Sequence, residues 1–197
     1  MPILQIETIH RFIQDGQLRI FPFEHKYKRP SSVLLRLSNQ ILCFNQPNKI
    51  IDPFSENIVQ EKKEFTDFLL PPRTLILGST IEQLSLPSSI AGILCNMSHL
   101  ARLGLDIHGG SFLVSPGFGQ EKASSLTLEI YNRNQNHIKL HAGMPICHIL
   151  FIETDQYNFL ENTQSVPISL YTGQQEPLSS KYYKEFQLPT YYENLSD

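Results

Sequence analysis

Between residues 30 and 160, short apolar runs alternate with clusters of Pro, Gly, Ser and Asn, and helical periodicity is weak. Runs of Val, Ile, Leu, Phe and Thr bounded by turn residues predict strands. The candidates are 33–37, 40–44, 65–70, 74–78, 90–95, 111–114, 125–132, 137–140 and 146–153. At the N-terminus the pattern differs. Ile6, Ile9 and Ile13 recur at i, i+3 and i+7 and Gly16 follows, which predicts one amphipathic helix over 4–15. Many short strands and one short helix predict a mainly β fold, a sandwich or a barrel. The polar stretch 54–64 reads as a surface loop or short helix. The tail beyond Gln174, rich in Tyr, Ser, Lys and Pro, reads as a segment that orders on docking.

One predicted strand combines both kinds of position. In Leu126-Thr127-Leu128-Glu129-Ile130-Tyr131, strand alternation sends Leu126, Leu128 and Ile130 to one face and Thr127, Glu129 and Tyr131 to the other. Glu is disfavoured in strands. From the alternation alone, Glu129 is either part of a solvated outer face or a carboxylate kept for chemistry.

Composition narrows the setting. The chain of 197 residues suits one domain with a small appendage, and 41% hydrophobic with 18% charged residues is ordinary for a globular protein. A net charge of −3 gives no broad attraction to nucleic acid or to an anionic membrane. No apolar stretch approaches the roughly 20 residues of a membrane span, and the first residues carry no basic segment followed by an apolar run. Cys43, Cys95 and Cys147 are far apart and form no CxxC, so they read as small core residues of a cytoplasmic protein.

Several chemistries lack their residues. A zinc nucleobase deaminase needs His or Cys followed by x-Glu, and then Pro-Cys-x-x-Cys; neither half is present. His99, His108, His137, His141 and His148 show no metal-ligand spacing, and His141 and His148 are expected on adjoining strands around a Gly-Met-Pro turn. Walker, GxGxxG and GxSxG motifs are missing. One polar, glycine-containing stretch remains, Ser98-His99-Leu100-Ala101-Arg102-Leu103-Gly104-Leu105. Ser98 and Arg102 would share a face of a helical turn, where a hydroxyl and a guanidinium suit a phosphate; a structural ion pair for Arg102 fits the spacing equally well.

Taken together, ordered stretches along nearly the whole chain resemble the dCTP deaminase family, a branch of the trimeric dUTPase fold. The stretch Gly16–Phe23 resembles its G-x-L-x-I-x-P-F turn, and Pro30–Leu37 resembles its P-[AS]-S-[VY]-D-L-R-L strand. Leu69–Pro72 and Leu77–Glu82 resemble the next block, and Ser98–Leu105 resembles S-S-L-A-R-L-G-L. Pro116-Gly117-Phe118 followed by Thr127–Asn132 resembles D-P-G-F and then L-E-x-x-N. Gly143–Ile146 resembles G-M-x-I, and Tyr171-Thr172-Gly173-Gln174 with Pro177 and Ser180 resembles K-Y-x-G-Q-x-x-P-x-x-S.

The resemblance implies a dUTPase-like jelly roll or distorted β-barrel over 1–170, with a tail over 171–197 that closes on the nucleotide. It implies hydrolytic deamination of a cytidine nucleotide, dCTP to dUTP and ammonia, in a homotrimer with active sites between subunits. Glu129 takes the place of the catalytic glutamate, with Ser98 and Arg102 as the accompanying pair. Met97, His99, Leu100 and Ala101 complete that nucleotide-binding segment. Thr127 and Leu128 would contact the base through their backbone; Ser115, Tyr171 and Gln174 complete the nucleotide site, and His108 stands where the family links closure to inhibition by dTTP. No metal is required for the chemistry; Mg²⁺ would enter with the triphosphate.

The chain also departs from the pattern. Ser115 replaces the Asp of D-P-G-F, Leu113 replaces an Arg two residues earlier, Leu170 replaces the Lys before Tyr171, and Leu34 replaces the Asp of the early strand. An upstream tail Tyr has no clear counterpart, and the link Gly119–Ser125 is longer than usual. Two readings follow: a working deaminase with altered substrate preference, and a catalytically altered or inactive trimer that binds a nucleotide for regulation. Ser115, Leu113 and Leu170 favour the second, and Ser115 speaks against dUTP diphosphatase activity.

Overall fold

The computed structural model describes residues 3–44, 48–56, 60–107, 111–154 and 170–186. Helix α1 (Ile6–Gln14) is followed by β1 (Arg19–Phe21), a single 3-10 turn (His25–Tyr27), β2 (Lys28–Arg29), β3 (Ser32–Cys43), β4 (Glu61–Glu64), β5 (Asp67–Leu70) and β6 (Leu75–Ser85). Then come β7 (Ile90–Asn96), α2 (Ser98–Ala101), β8 (Leu105–Asp106), β9 (Leu113–Val114), β10 (Ser124–Asn132), β11 (Ile138–His141), β12 (Pro145–Glu153) and α3 (Tyr182–Glu185). Among the described residues no helix is long and apolar enough to cross a membrane.

Antiparallel strands in the order β8-β10-β6-β3-β12-β7-β9 make a curled half-barrel, with β1 on β6, and β2 and β4 on β3. The curl has a local cause. Strand β3 pairs with β12 through Val33–Arg36 and with β6 through Leu37 and Ile41–Cys43, the register shifting in between. A long strand that changes partners at a bulge bends the sheet. The two strands expected at 33–37 and 40–44 are therefore one. The charged stretch 61–64, expected in a loop or short helix, is edge strand β4, because main-chain pairing with Gln40–Cys43 needs no apolar side chains. His141 and His148 do not sit on adjoining strands: β11 pairs with β5 in a separate two-stranded sheet, while β12 lies in the half-barrel.

Inside the curl, Leu35, Leu37, Ile41, Leu84, Leu128, Ile130 and Phe151 are fully buried, and Ile9 and Leu18 cap them from α1 and the turn after it. Each such side chain contributes about 1.5–3 kcal/mol relative to exposure. Gly78 has no Cβ because one would stand 2.8 Å from Ile130 Cδ1 and 2.9 Å from Leu37 Cδ1. Two polar groups are buried with full partners. Asn132 Nδ2 donates to the Leu70, Pro71 and Asn136 carbonyls, and its Oδ1 accepts the Asn134 N–H at 2.8 Å. Glu82, 2% exposed, accepts the Arg36 backbone N–H at 2.7 Å and Arg36 Nε at 2.6 Å. The three cysteines are free, and burial pushes their thiols up.

Candidate active site

Strand β10 carries the site because its two faces differ. Leu126, Leu128 and Ile130 are buried in the core, while Thr127, Glu129 and Tyr131 are half-buried on the opposite face, as the alternation predicts. A register shift against β6 between Ser125 and Thr127 sets this phase, so that Thr127 faces Ser79 and Glu129 faces Leu77. Above this face lies a cleft of about 570 Å³. Thr127 and Glu129 form its floor with Leu77; Ser111 and Leu113 stand on one wall; Tyr171, Gln174, Leu178 and Ser180 come from the tail. Among the described residues lining it there is one carboxylate, Glu129, and no Lys or Arg.

The tail forms the roof and is docked on the same chain. Gly173 N–H donates to Ser124 Oγ at 2.8 Å, Ser125 N–H donates to the Gln174 carbonyl at 2.9 Å, and Gln174 Nε2 donates to the Ser125 carbonyl at 2.6 Å. Leu178 N–H reaches Thr127 Oγ1 at 3.3 Å, and Gln175 Nε2 reaches the Ala123 carbonyl at 3.1 Å. Ion pairing of Lys62 with Glu176, a bond from Ser179 to Gln60, and edge packing of Tyr182 on Phe54 extend the contact. The long Gly119–Ser125 link is thus the platform on which the tail rests. Gly119, at φ +67, lets this link approach so closely that a Cβ there would stand 2.2 Å from the Leu84 carbonyl oxygen.

The residues singled out from the sequence divide into two groups. Thr127, Glu129, Tyr171 and Gln174 meet in the cleft, and Leu128 is buried directly beneath it. The Gln174 amide nitrogen is bonded to the Ser125 carbonyl, and its Oε1 is buried without a hydrogen-bond partner among the described residues. Leu113 lines the cleft, whereas Ser115 is exposed and does not. The Met97–Arg102 segment lies apart from this chain's own cleft. Its Ser98–Ala101 part is helical, Arg102 N–H bonds to the Ser98 carbonyl at 3.1 Å, and Leu100 packs on the core while Ser98, His99, Ala101 and Arg102 are exposed. His108 lies outside the described residues.

Near α2, His148 Nδ1 and Ser32 Oγ are 3.2 Å apart. Burial, and then the charges of Arg29 and His99, hold the His148 imidazole below its ordinary range. No group of three or more His, Cys, Asp or Glu among the described residues could hold a metal ion. A second cleft, about 670 Å³, opens between α1 and the ends of β6 and β12; it is lined by Phe12, Arg19, Ser85 and Glu153 and contains none of the residues above. Sequence reasoning missed Ser111 and Leu178, which no spacing rule marks, and it quoted Ser180 in the tail motif without assigning it to the site.

Comparison with known proteins bears on this arrangement. A family model described as dCTP deaminase-like matches residues 3–154. A protein named dCTP deaminase, dUMP-forming, from Sulfurihydrogenibium sp. is 35% identical over 157 residues, covering 78% of this chain and 84% of the relative. One of the same name from Methanosphaerula palustris is 31% identical over 179 residues, covering 87% of this chain and 91% of the relative. Among solved structures, the 2'-deoxycytidine 5'-triphosphate deaminase of Agrobacterium tumefaciens superposes with a TM-score of 0.59 at 18% identity over 76% of this chain, which itself spans 47% of that longer one. That likeness establishes the mainly β, curled half-barrel fold, and the match across the half-barrel establishes that this chain belongs to the dCTP deaminase-like family of hydrolases.

Proposed function

We propose that this chain removes the 4-amino group of dCTP hydrolytically, with Glu129 as the proton carrier. The observation that supports this most is the half-buried Glu129 on the floor of a cleft roofed by the chain's own tail. A carboxylate can serve both halves of the reaction. It takes a proton from water as the oxygen adds to C4 of cytosine and passes it to N3. It then carries the second proton of that oxygen to the departing amine, so that C4–N4 breaks and ammonia leaves with a uracil ring behind. A roofed cleft limits competing water. Mg²⁺ enters as the counter-ion of the triphosphate.

We assign the complete site to a homotrimer. The cleft of one chain holds no cation among the described residues, while Ser98 and Arg102 stand exposed elsewhere on its surface. Exposed Leu103, Phe112 and Leu113 provide apolar surface for packing against a second copy. The relatives' names give dUMP as product. We extend that to this chain, against the expectation drawn from Ser115, with a second water then splitting uracil-bearing dUTP into dUMP and pyrophosphate. A second reading, nucleotide binding without turnover, draws support from Leu113 in the cleft wall and from a Gln174 amide already bonded to Ser125.

The test incubates dCTP, CTP and dCMP with the protein, follows ammonia, and separates nucleotides chromatographically. The expected result is ammonia from dCTP with dUMP and pyrophosphate in equal amounts, and a loss of about 10²–10⁴-fold in Glu129→Gln. Ammonia with dUTP accumulating removes the second hydrolysis. Activity that survives Glu129→Gln refutes the mechanism, and tight binding without turnover establishes the second reading.

A further inference from the structure

The cleft described above lacks a cation of its own, yet a triphosphate needs several. One ammonium is held at its rim. Lys181 is half-buried, and its neighbour Ser180 lines the cleft. Its Nζ donates to the Leu170 carbonyl at 2.5 Å and lies 5.2 Å from the centroid of the Tyr171 ring, itself part of the cleft wall. Its backbone N–H donates to Tyr171 Oη at 2.9 Å, so the residue is anchored from both ends. Other lysines near the tail are placed differently: Lys62 pairs with Glu176, Lys184 sits over Tyr183 in the exposed α3, and the exposed Lys122 lays its stem along Gly173 without lining the cleft. No carboxylate among the described residues pairs with Lys181.

We propose that Lys181 is a binding residue for the nucleotide's phosphate chain, supplied by the tail; this rests on the reading of the cleft as a nucleotide site. The chemistry fits. An ammonium has three donors, and the bond to Leu170 uses one. A ring face and a carbonyl keep the charge in place without neutralising it, so little side-chain entropy is lost when an anion arrives. The tail then contributes two things at once, a roof and a charge. Docking of the tail and binding of the phosphates become mutually reinforcing, because each places Lys181 where the other needs it.

Calorimetric binding of dCTP, dCDP, dCMP and deoxycytidine to the full chain in a Glu129→Gln background, which holds the ligands unreacted, tests this with Lys181→Gln and Lys181→Arg. Lys181→Gln is expected to weaken dCTP about tenfold, an amount that corresponds to ~1.4 kcal/mol. The effect should shrink as phosphates are removed and vanish for deoxycytidine, and Lys181→Arg should restore most of it. The rate of tryptic cleavage after Lys184 should stay unchanged, which separates lost charge from a loosened tail. Equal weakening for all four ligands, or none for dCTP, overturns the assignment while leaving the nucleotide site intact. Failure of every ligand to bind the parent protein overturns the site and the lysine together.

Discussion

Replacing Arg36 with Met should be among the most damaging single changes outside the cleft, and the structure gives its size. Methionine keeps the apolar stem and the backbone N–H bond to Glu82 but deletes the guanidinium. Glu82 is 2% exposed, and it would then hold a buried carboxylate with Oε1 deprived of its 2.6 Å donor. Breaking a buried pair from one side costs about 3–5 kcal/mol. Two further losses are smaller. Glu24, at 2.7 Å from Arg36 Nη1, is 37% exposed, and solvent screens that pair. The Tyr27 ring, 4.8 Å from the guanidinium, contributes about 0.5–1 kcal/mol. The uncompensated carboxylate dominates, so the expected loss is about 4 kcal/mol, a large part of the ~5–15 kcal/mol typical of a domain. Urea unfolding at fixed protein concentration measures it, followed by circular dichroism and by fluorescence of the eight tyrosines, since the chain has no Trp. Adding Glu82→Gln should return about 1–2 kcal/mol, because the amide buries no charge. A loss below ~1 kcal/mol for Arg36→Met, the size of a surface pair, would refute the reasoning.

Two other outcomes follow from backbone and charge. Gly119→Ala sets a Cβ against the Leu84 carbonyl and should displace the platform under the tail, whereas Gly16→Ala, at φ +70 but with nothing within 4 Å, should cost only about 1 kcal/mol. The expected sign of the first is faster tryptic cleavage after Lys181 and Lys184; unchanged cleavage would show that the platform does not hold the tail. His148 is held below its ordinary value of 6.5, so the unfolded chain binds more protons as pH falls below that value. Stability should therefore be complete above about pH 6.5 and decline beneath it. In melts at several pH values, His148→Gln should flatten that decline; an unaltered slope would assign the pH dependence to other groups.

The sequence made the floor of the cleft legible and left the roof obscure. Alternation along β10 needs only local geometry, and it placed Thr127 and Glu129 opposite the core correctly. While the short strands β1, β2 and β8 fell on no predicted run, the first helix, most of the strands and the mainly β class were legible for the same reason. Strand β4 was not, because Glu61–Glu64 is all charged and owes its form to a partner far along the chain. The meeting of Lys181 with Leu170 and Tyr171, and of Gln174 with Ser125, depends on where the tail lands, which composition does not encode. Met97–Arg102 was legible as a helical turn, but its absence from the cleft lining was not, since a local pattern says nothing of tertiary distance.

The register shift between Ser125 and Thr127 has a consequence for how length changes are tolerated. Upstream of it, an extra residue near Glu121 only enlarges a surface bend. Downstream, between Leu126 and Glu129, the same insertion inverts inside and outside for everything that precedes it or follows it up to the next irregularity, driving an acid inward and leucines into water. Tolerance to insertion should therefore change abruptly within a few residues of chain.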